Sequence, residues 1–268
     1  MGVVERALSF GAVAAAYERF RPGYPDRLVD EVLVYAAAPV RSALEIGAGT
    51  GKATRAFAAR GISVTASDPD PAMLTELRRH VPASVATIQA SFEDLPLGER
   101  YDLVFAGAAM HWTRPEGRWA RIAALLHARG VLASFGGQMH LDDSAVADAV
   151  RTAREPYLAD DDHPSPDGTS ETAPMQWPGT EISQSVHFTD VREVTIERPV
   201  HLSAQDYIGH LSTISAYRQL SDETRAIVFE RISHVLPGVV SLKADVVLHL
   251  ARAVTPEQSS PDDEPRGG

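Results

Sequence analysis

Three features of the sequence have the residue types and spacing to do chemistry. The run Leu44-Glu45-Ile46-Gly47-Ala48-Gly49-Thr50-Gly51-Lys52 follows an apolar stretch and opens a helical one. Its glycines let the backbone approach a ligand and adopt positive φ. A helix N-terminus behind them offers unpaired N–H groups to a carboxylate or phosphate. Asp68 closes Val64-Thr65-Ala66-Ser67-Asp68-Pro69, 21 residues after Gly47. An acid in that place accepts hydrogen bonds from ribose hydroxyls in nucleoside-binding sheets. His111 follows the apolar run Leu103-Val104-Phe105, where ligands of open α/β sheets bind, and imidazole moves protons near neutral pH.

The spacing narrows the ligand. A dinucleotide fingerprint, G-x-G-x-x-G, needs glycine at position 52, which is Lys52. Phosphate-loop spacing fails too, because no G-K-[ST] follows the loop. Glu45 stands two residues before the first glycine, where it would repel a pyrophosphate but accept a hydrogen bond from an ammonium group. Each feature also has a plainer reading: a strand-to-helix turn for the loop, a turn acid for Asp68, and a helix-capping or packing role beside Trp112 for His111.

Composition sets the outer limits. The chain has 268 residues, 44% of them hydrophobic, enough for one sizeable core. Lys plus Arg is 25 against 36 for Asp plus Glu, a formal charge of −11. That balance argues against nucleic acid and anionic membrane as partners, since both need a basic face. There is no cysteine, so disulfides, thiolate metal sites and thiol nucleophiles are excluded. Phe10–Tyr17 is too short to span a bilayer, and Met1–Ser9 sets Glu5 against Arg6 with no positive cluster. A cytoplasmic location is therefore expected. Asp160-Asp161-Asp162-His163 imitates a metal cluster, but consecutive loop residues seldom converge on one ion, and no metal is expected.

The elements that must position these groups follow in order. Asp26–Ala38 reads as a helix with Leu28, Val29, Val32, Leu33 and Ala36 on one face. Short strands then alternate with helices. The strands are Ala43–Ile46, Ile62–Ser67, Ser84–Ile88, Tyr101–Ala106 and Val131–Phe135. The helices are Lys52–Arg60, Pro71–His80 and Pro115–Arg129. Such alternation means parallel βαβ units in a doubly wound α/β sheet. Residues 154–181 hold five prolines and seven acids, with Arg154 the sole base, and read as a loop or disordered excursion. Patterning returns in Val191–Val200 (strand), Ala204–Leu220 and Asp222–Leu236 (helices) and Ser241–Val254 (strand). The expected organisation is a lid and first helix at 1–40, a ligand-binding core at 41–136, a substrate cover with a final strand pair at 137–254, and a disordered tail at 255–268.

With these motifs the chain resembles the class I S-adenosylmethionine-dependent methyltransferases, in the small-molecule branch that includes trans-aconitate-methyltransferase-like proteins. The resemblance rests on Glu45-x-Gly47-x-Gly49-x-Gly51, Asp68-Pro69-Asp70-Pro71-Ala72-Met73-Leu74, Ala90-Ser91-Phe92-Glu93-Asp94-Leu95-Pro96 and Tyr101-Asp102-Leu103-Val104-Phe105. Met110-His111-Trp112, the lead Tyr17/Arg21-Pro22-x-Tyr24-Pro25 and the late Leu211-Ser212-Thr213 extend it. It implies a Rossmann-like seven-stranded sheet with a C-terminal helical cover, and S-adenosyl-L-methionine as cofactor. Glu45 and the loop Gly47, Gly49 and Gly51 would hold the methionine end. Asp68 would take the ribose, and Pro69 and Met73 the adenine face. Ser91 and Phe92 would border the adenine edge, where many relatives carry Asp in place of Ser91. Tyr17 and Arg21 would belong to a lid over the cofactor, and Ala106 would line its site. His111 and Tyr17 are the catalytic candidates. His111, Trp112, Ser212, Thr213 and Tyr217 are the substrate-lining ones. The activity so implied is methyl transfer to a small organic molecule of secondary metabolism, oxygen favoured over nitrogen or carbon. A cofactor-binding enzyme of non-methylating chemistry and a non-catalytic binding module are the alternatives.

Overall fold

The computed structural model describes residues 13–158, 165–170 and 172–254. The chain enters through α1 (Ala14–Phe20) and α2 (Asp26–Ala36). It then alternates β1 (Ser42–Ile46), α3 (Lys52–Ala58), β2 (Ser63–Asp68), α4 (Pro71–Leu77), β3 (Ala86–Gln89), β4 (Tyr101–Gly107), α5 (Arg118–Ala124) and β5 (Leu126–Gly136). There follow β6 (His140–Leu141), α6 (Ser144–Arg154), α7 (Gly179–Gln184), β7 (Phe188–Ile196), β8 (Pro199–Ser203), α8 (Ala204–Leu211), α9 (Ser215–Arg218), α10 (Asp222–Val235), β9 (Val239–Lys243) and β10 (Val246–Ala253).

Seven strands form the central sheet in the order β3-β2-β1-β4-β5-β10-β7. The pairs among β1 to β5 are parallel, and β10 is antiparallel to both β5 and β7. This is the expected α/β, Rossmann-like sheet with its final antiparallel pair. Strand alternation sorts the core into two faces. Ala43, Leu103, Phe105, Val131 and Phe135 pack under α2 and α3 with Leu28, Val32 and Phe57. Leu44, Ile46, Val104, Ala106 and Leu132 pack on the other face with Ile122, Phe188 and Ile182. Each of these large apolar side chains contributes roughly 1.5–3 kcal/mol through burial. Phe57 stacks on Phe105 at 4.2 Å between ring centroids, fixing α3 against the strand that leads to His111.

The later chain departs from the sequence expectation in five ways. The strand expected over Val191–Val200 is two strands in different sheets, β7 (Phe188–Ile196) and β8 (Pro199–Ser203), parted at Glu197 and Arg198. The helix expected over Pro115–Arg129 stops at Ala124. Tyr101 N–H donates to Leu125 O at 2.9 Å and Tyr101 pairs with Leu126, which draws residues 126–130 into an extended, bulged β5. The helix expected over Ala204–Leu220 breaks after Leu211. Ser212 and Thr213 hydroxyls donate to Gly209 O and His210 O, side-chain bonds that compete with helix continuation. The strand expected over Ser241–Val254 is two strands in different sheets, parted at Ala244–Asp245. There Asp245 accepts from Arg198 N–H, and Ala244 N–H donates to Arg198 O, each at 2.8 Å. Finally, Ser144–Arg154 is a helix that the sequence reading left unassigned; Asp143 caps it through the N–H groups of Ala145 and Val146.

The cover is therefore a second small layer, not helices alone. Strands β6-β9-β8 form a three-stranded antiparallel sheet. Tyr207, Leu211, Tyr217, Val228, Ile232 and Leu242 make its core. The excursion is ordered at its C-terminal end. Arg118, only 4% exposed, pairs with Glu181 at 3.2 Å and donates to Thr113 O at 2.7 Å. Its guanidinium lies 5.5 Å from the ring centres of both Trp119 and Trp177. Asp160–His163 and the tail 255–268 fall outside the described residues.

Candidate functional site

The strand ends β1, β2 and β4 converge on the glycine loop. Gly47 has φ +67° and stands so close to Ala109 that a Cβ on it would lie 2.5 Å from the Ala109 side chain. The loop is thereby pressed against the exit of β4. Gly49 has φ +54°, and a Cβ there would meet nothing. Its open face is the space a ligand would fill. Gly51 caps α3.

Two acids flank that space. Asp68 accepts from Gly49 N–H through one carboxylate oxygen and from Asp70 N–H through the other, both at 2.9 Å. Burial pushes it up to about 6 against the pull of those bonds. Glu45 is 2% exposed and accepts from the Thr54 hydroxyl. Burial, with the Asp68 charge adding to it, pushes Glu45 up to about 8. A buried carboxyl held protonated near neutrality is poised to ionise beside a cation.

The other expected residues surround this core unequally. Pro69 is half-buried, and Met73 is buried at the start of α4. Ser91 Oγ donates to Asp94 at 2.7 Å, so its hydroxyl is spent on the short helix Phe92–Asp94. Phe92 is buried, and its carbonyl accepts from Arg121 at 2.9 Å. Ala106 is fully buried in β4, facing the second core. His111 is exposed beside Trp112, with 4.6 Å between ring centres. Tyr17 is half-buried beneath Arg21, whose guanidinium carbon lies 5.5 Å from the ring centre. Arg21 donates to Thr213 Oγ1 at 2.8 Å. Thr213 is thus a buried residue that holds Arg21. Ser212 is half-buried. Tyr217 is 0% exposed, turned into the cover core against Phe229 with its hydroxyl near Arg154.

Several residues near the cleft carried no local sequence signal. Glu18 of α1 pairs with Arg55 at 2.9 Å and Lys52 at 3.4 Å, and Lys52 Nζ donates to Glu18 O at 2.6 Å. The lysine that spoils the dinucleotide pattern therefore ties α1 to α3. His210 is 3% exposed, stacked on Tyr207 and pushed down to about 3, by burial first and then by the Arg21 charge. Phe20 lies flush on Gly209, where a Cβ would come within 2.4 Å of the ring. Among the described residues, no group of three or more His, Asp or Glu is placed to hold a metal ion. No described helix is long and apolar enough to cross a membrane.

Comparison with known proteins finds likeness over the glycine loop and the strands around it. Residues 44–134 match the model of a methyltransferase domain. An uncharacterized methyltransferase of Mycobacterium tuberculosis is 40% identical over 129 residues, 48% of this chain and 51% of that protein. A malonyl-[acyl-carrier protein] O-methyltransferase of Enterobacter lignolyticus is 30% identical over 164 residues, 57% of this chain and 61% of its own length. A solved structure from Anaeromyxobacter dehalogenans, provisionally a type II methyltransferase, aligns over 88% of this chain and 98% of its own with TM-score 0.57 and 25% identity. Residues 44–134 thus resemble a methyltransferase domain, and the sheet around them shares the fold of the solved neighbour. The chain spans about half the length of the first curated relatives it matches. Such domains use S-adenosylmethionine, and the open face above Gly49 and the buried Glu45 carboxyl fit it.

Proposed function

We propose that this methyltransferase moves a methyl group from S-adenosylmethionine to a small organic acceptor, oxygen being favoured over nitrogen or carbon. The observation that carries the reading is the meeting of Glu45, Gly49 and Asp68 at the strand ends that also carry His111. S-adenosylmethionine bound there supplies an electrophilic methyl group on a sulfonium sulfur. Glu45 would ionise against its ammonium group, Arg21 would hold its carboxylate, and Asp68 its ribose hydroxyls. Pro69 and Met73 would pack on the adenine, with Ser91 and Phe92 at its edge.

Methyl displacement asks little covalent work of the protein, so alignment and exclusion of water can supply most of the rate. Residues 1–40 as lid and 137–254 as cover would provide both around the 41–136 core. His111 would take the acceptor's proton when the acceptor is a hydroxyl, with Tyr17 closing over the reacting groups. Trp112 would wall the acceptor pocket and Ser212 would border it. The relative named as an O-methyltransferase supports oxygen as the accepting atom. Incubation with methyl-tritiated cofactor and a panel of small alcohols, acids and amines tests the reading. Label in an oxygen-methylated product supports it. Tight cofactor binding with no transfer to any member would point to a non-methylating protein.

A further inference from the structure

The turn that carries His111 and Trp112 has little of its own to hold it. It is a single 3₁₀ turn, Met110–Trp112, flanked by Ala109 and Thr113. Trp112 N–H donates to Ala109 O at 3.0 Å, and Thr113 N–H to Met110 O at 3.1 Å. So short a turn has poorer hydrogen-bond geometry than an α-helix and sets its own place weakly. Its entrance is fixed by β4. Met110 is 2% exposed in the second core, and Ala109 lies flush on Gly47. Its exit is fixed by Arg118. Nη2 of that arginine donates to Thr113 O at 2.7 Å. Thr113 is itself buried and donates through Oγ1 to Met110 O, also at 2.7 Å.

A buried guanidinium needs a counter-charge, and Arg118 finds it 63 residues further on. Nη1 pairs with Glu181 at 3.2 Å, and Trp119 Nε1 donates to the same carboxylate oxygen at 3.2 Å. The indoles of Trp119 and Trp177 lie over the guanidinium. With Trp112 these are all three tryptophans of the chain, and each packs against the second core. Segment 175–184 is moored at its other end to the antiparallel edge of the sheet. Gln176 N–H donates to Glu193 of β7 at 2.6 Å, and His249 Nε2 of β10 lies 2.9 Å from the same oxygen. Gly179 is flush on the His249 ring, and Ile182 is 0% exposed. A continuous series of contacts thus joins β7 and β10 to the carbonyl of the residue after Trp112. A staple serving only to hold α7 would need Glu181 and the indoles alone. The shorter of the two Arg118 bonds goes instead to Thr113 O.

We propose that Arg118 is a positioning residue for methyl transfer: through Thr113 O it sets where His111 and Trp112 stand beside the acceptor, and segment 175–184, through Glu181, keeps it there. This rests on the methyltransferase reading above, in which those two side chains face the acceptor, and adds what holds them. A base works only within hydrogen-bond reach of the proton it takes, and a misplacement of about 1 Å can cost about 10²-fold in rate. His111 is exposed, so the turn beneath it must supply that precision. The planar guanidinium fork serves a carbonyl and a carboxylate at once, which a lysine ammonium does not do in the same geometry. Segment 175–184 thereby bears on the acceptor side of the site through Arg118.

The test uses the full-length protein with saturating S-adenosylhomocysteine and two variants, Glu181→Ala and Arg118→Lys, alone and together. Proton–carbon NMR reads the imidazole Cε1–H of His111, assigned by its loss in His111→Gln. Trp112 lies 4.6 Å away between ring centres, so its ring current makes that signal sensitive to the shape of the turn. Each single variant should move the His111 signal. The double variant should move it no further than Arg118→Lys alone, because Glu181 acts through Arg118. The signal of His80, paired with Glu76 after α4, should stay in place, which also shows that the variants are folded. With the acceptor that takes label in the panel above, Arg118→Lys should lower kcat about ten- to hundredfold and leave the cofactor KM within about twofold. A His111 signal unmoved in both single variants would overturn the proposal and leave Arg118 a staple for α7. Additive shifts in the double variant, or a rise in cofactor KM as large as the fall in kcat, would overturn it too. Absence of transfer by wild type to every acceptor would instead sink the methyltransferase reading and the catalytic use of the turn with it, while the His111 signal would still judge whether Arg118 holds that turn.

Discussion

Replacing Glu45 by Gln removes the one carboxyl at the glycine loop that folding forces to keep its proton. Burial raises it to about 8, against roughly 4.3 in the unfolded chain. Between those values the folded state binds more protons than the unfolded state, so stability falls as pH rises. From pH 5.5 to 8 the loss is about 3 kcal/mol, at about 1.4 kcal/mol per pH unit while the unfolded chain is ionised and the folded one is not. Glu45→Gln has no such proton to lose. Asp68, raised to about 6 by burial, acts in the same direction, but it is present in both proteins and cancels. Urea unfolding at pH 5.5 and 8.0 should show the wild type losing about 3 kcal/mol more than Glu45→Gln, or roughly 6–12 °C in Tm. Cofactor binding should reverse the effect. An ammonium group beside Glu45 favours its anion, so S-adenosylhomocysteine binding at pH 7 should release close to one proton. Calorimetry in buffers of different ionisation enthalpy measures that release. Glu45→Gln should release none and bind more weakly. Identical pH profiles for the two proteins, or proton release unchanged in the variant, would refute the assignment.

The remaining predictions address neighbouring parts. Asp68→Ala should weaken S-adenosylhomocysteine binding by about 1.5–3 kcal/mol in calorimetry, the worth of lost bonds to a charged group; normal binding would make Asp68 only a brace for Gly49 and Asp70. If His111 accepts a proton, His111→Ala should lower kcat by about 10²–10⁴ with little change in cofactor affinity. His111→Gln with nearly full kcat and a raised KM would mark a wall residue instead. Arg118→Ala removes a buried cation shared by Glu181, Thr113 O and two indoles, at a cost of about 3–5 kcal/mol. Amide exchange should then quicken across 179–184 before the central sheet is affected, and uniform exchange rates in that variant would show that Arg118 does not anchor the segment.

What the sequence determined by itself was local. The spacing of Glu45, Gly47, Gly49 and Gly51 and the acid at Asp68 are set within single strand-to-helix turns. Short continuous apolar runs marked the parallel strands because each is buried on both faces. Those signals lie within a few residues of the atoms they describe, so no long-range contact is needed to read them. Tertiary structure decided wherever a distant partner overrides local propensity. Residues 126–130 leave helical pattern for the sheet because Tyr101 offers them a hydrogen-bonding edge. Ser212 and Thr213 interrupt a long helical pattern at the point where Arg21, 192 residues away, takes the Thr213 hydroxyl. Asp245 ends one strand and begins another through Arg198, 47 residues earlier. Tyr217 passed for a pocket residue and is the fully buried centre of the cover. Arg118, Trp177 and Glu181 tie down a segment whose composition reads as loop, because one buried cation with four partners outweighs the proline and acid content around it. Arg198 stood outside every motif, since it meets Gly23 and Asp245 only once the end of β7 packs against the lead into α2 and the start of β10.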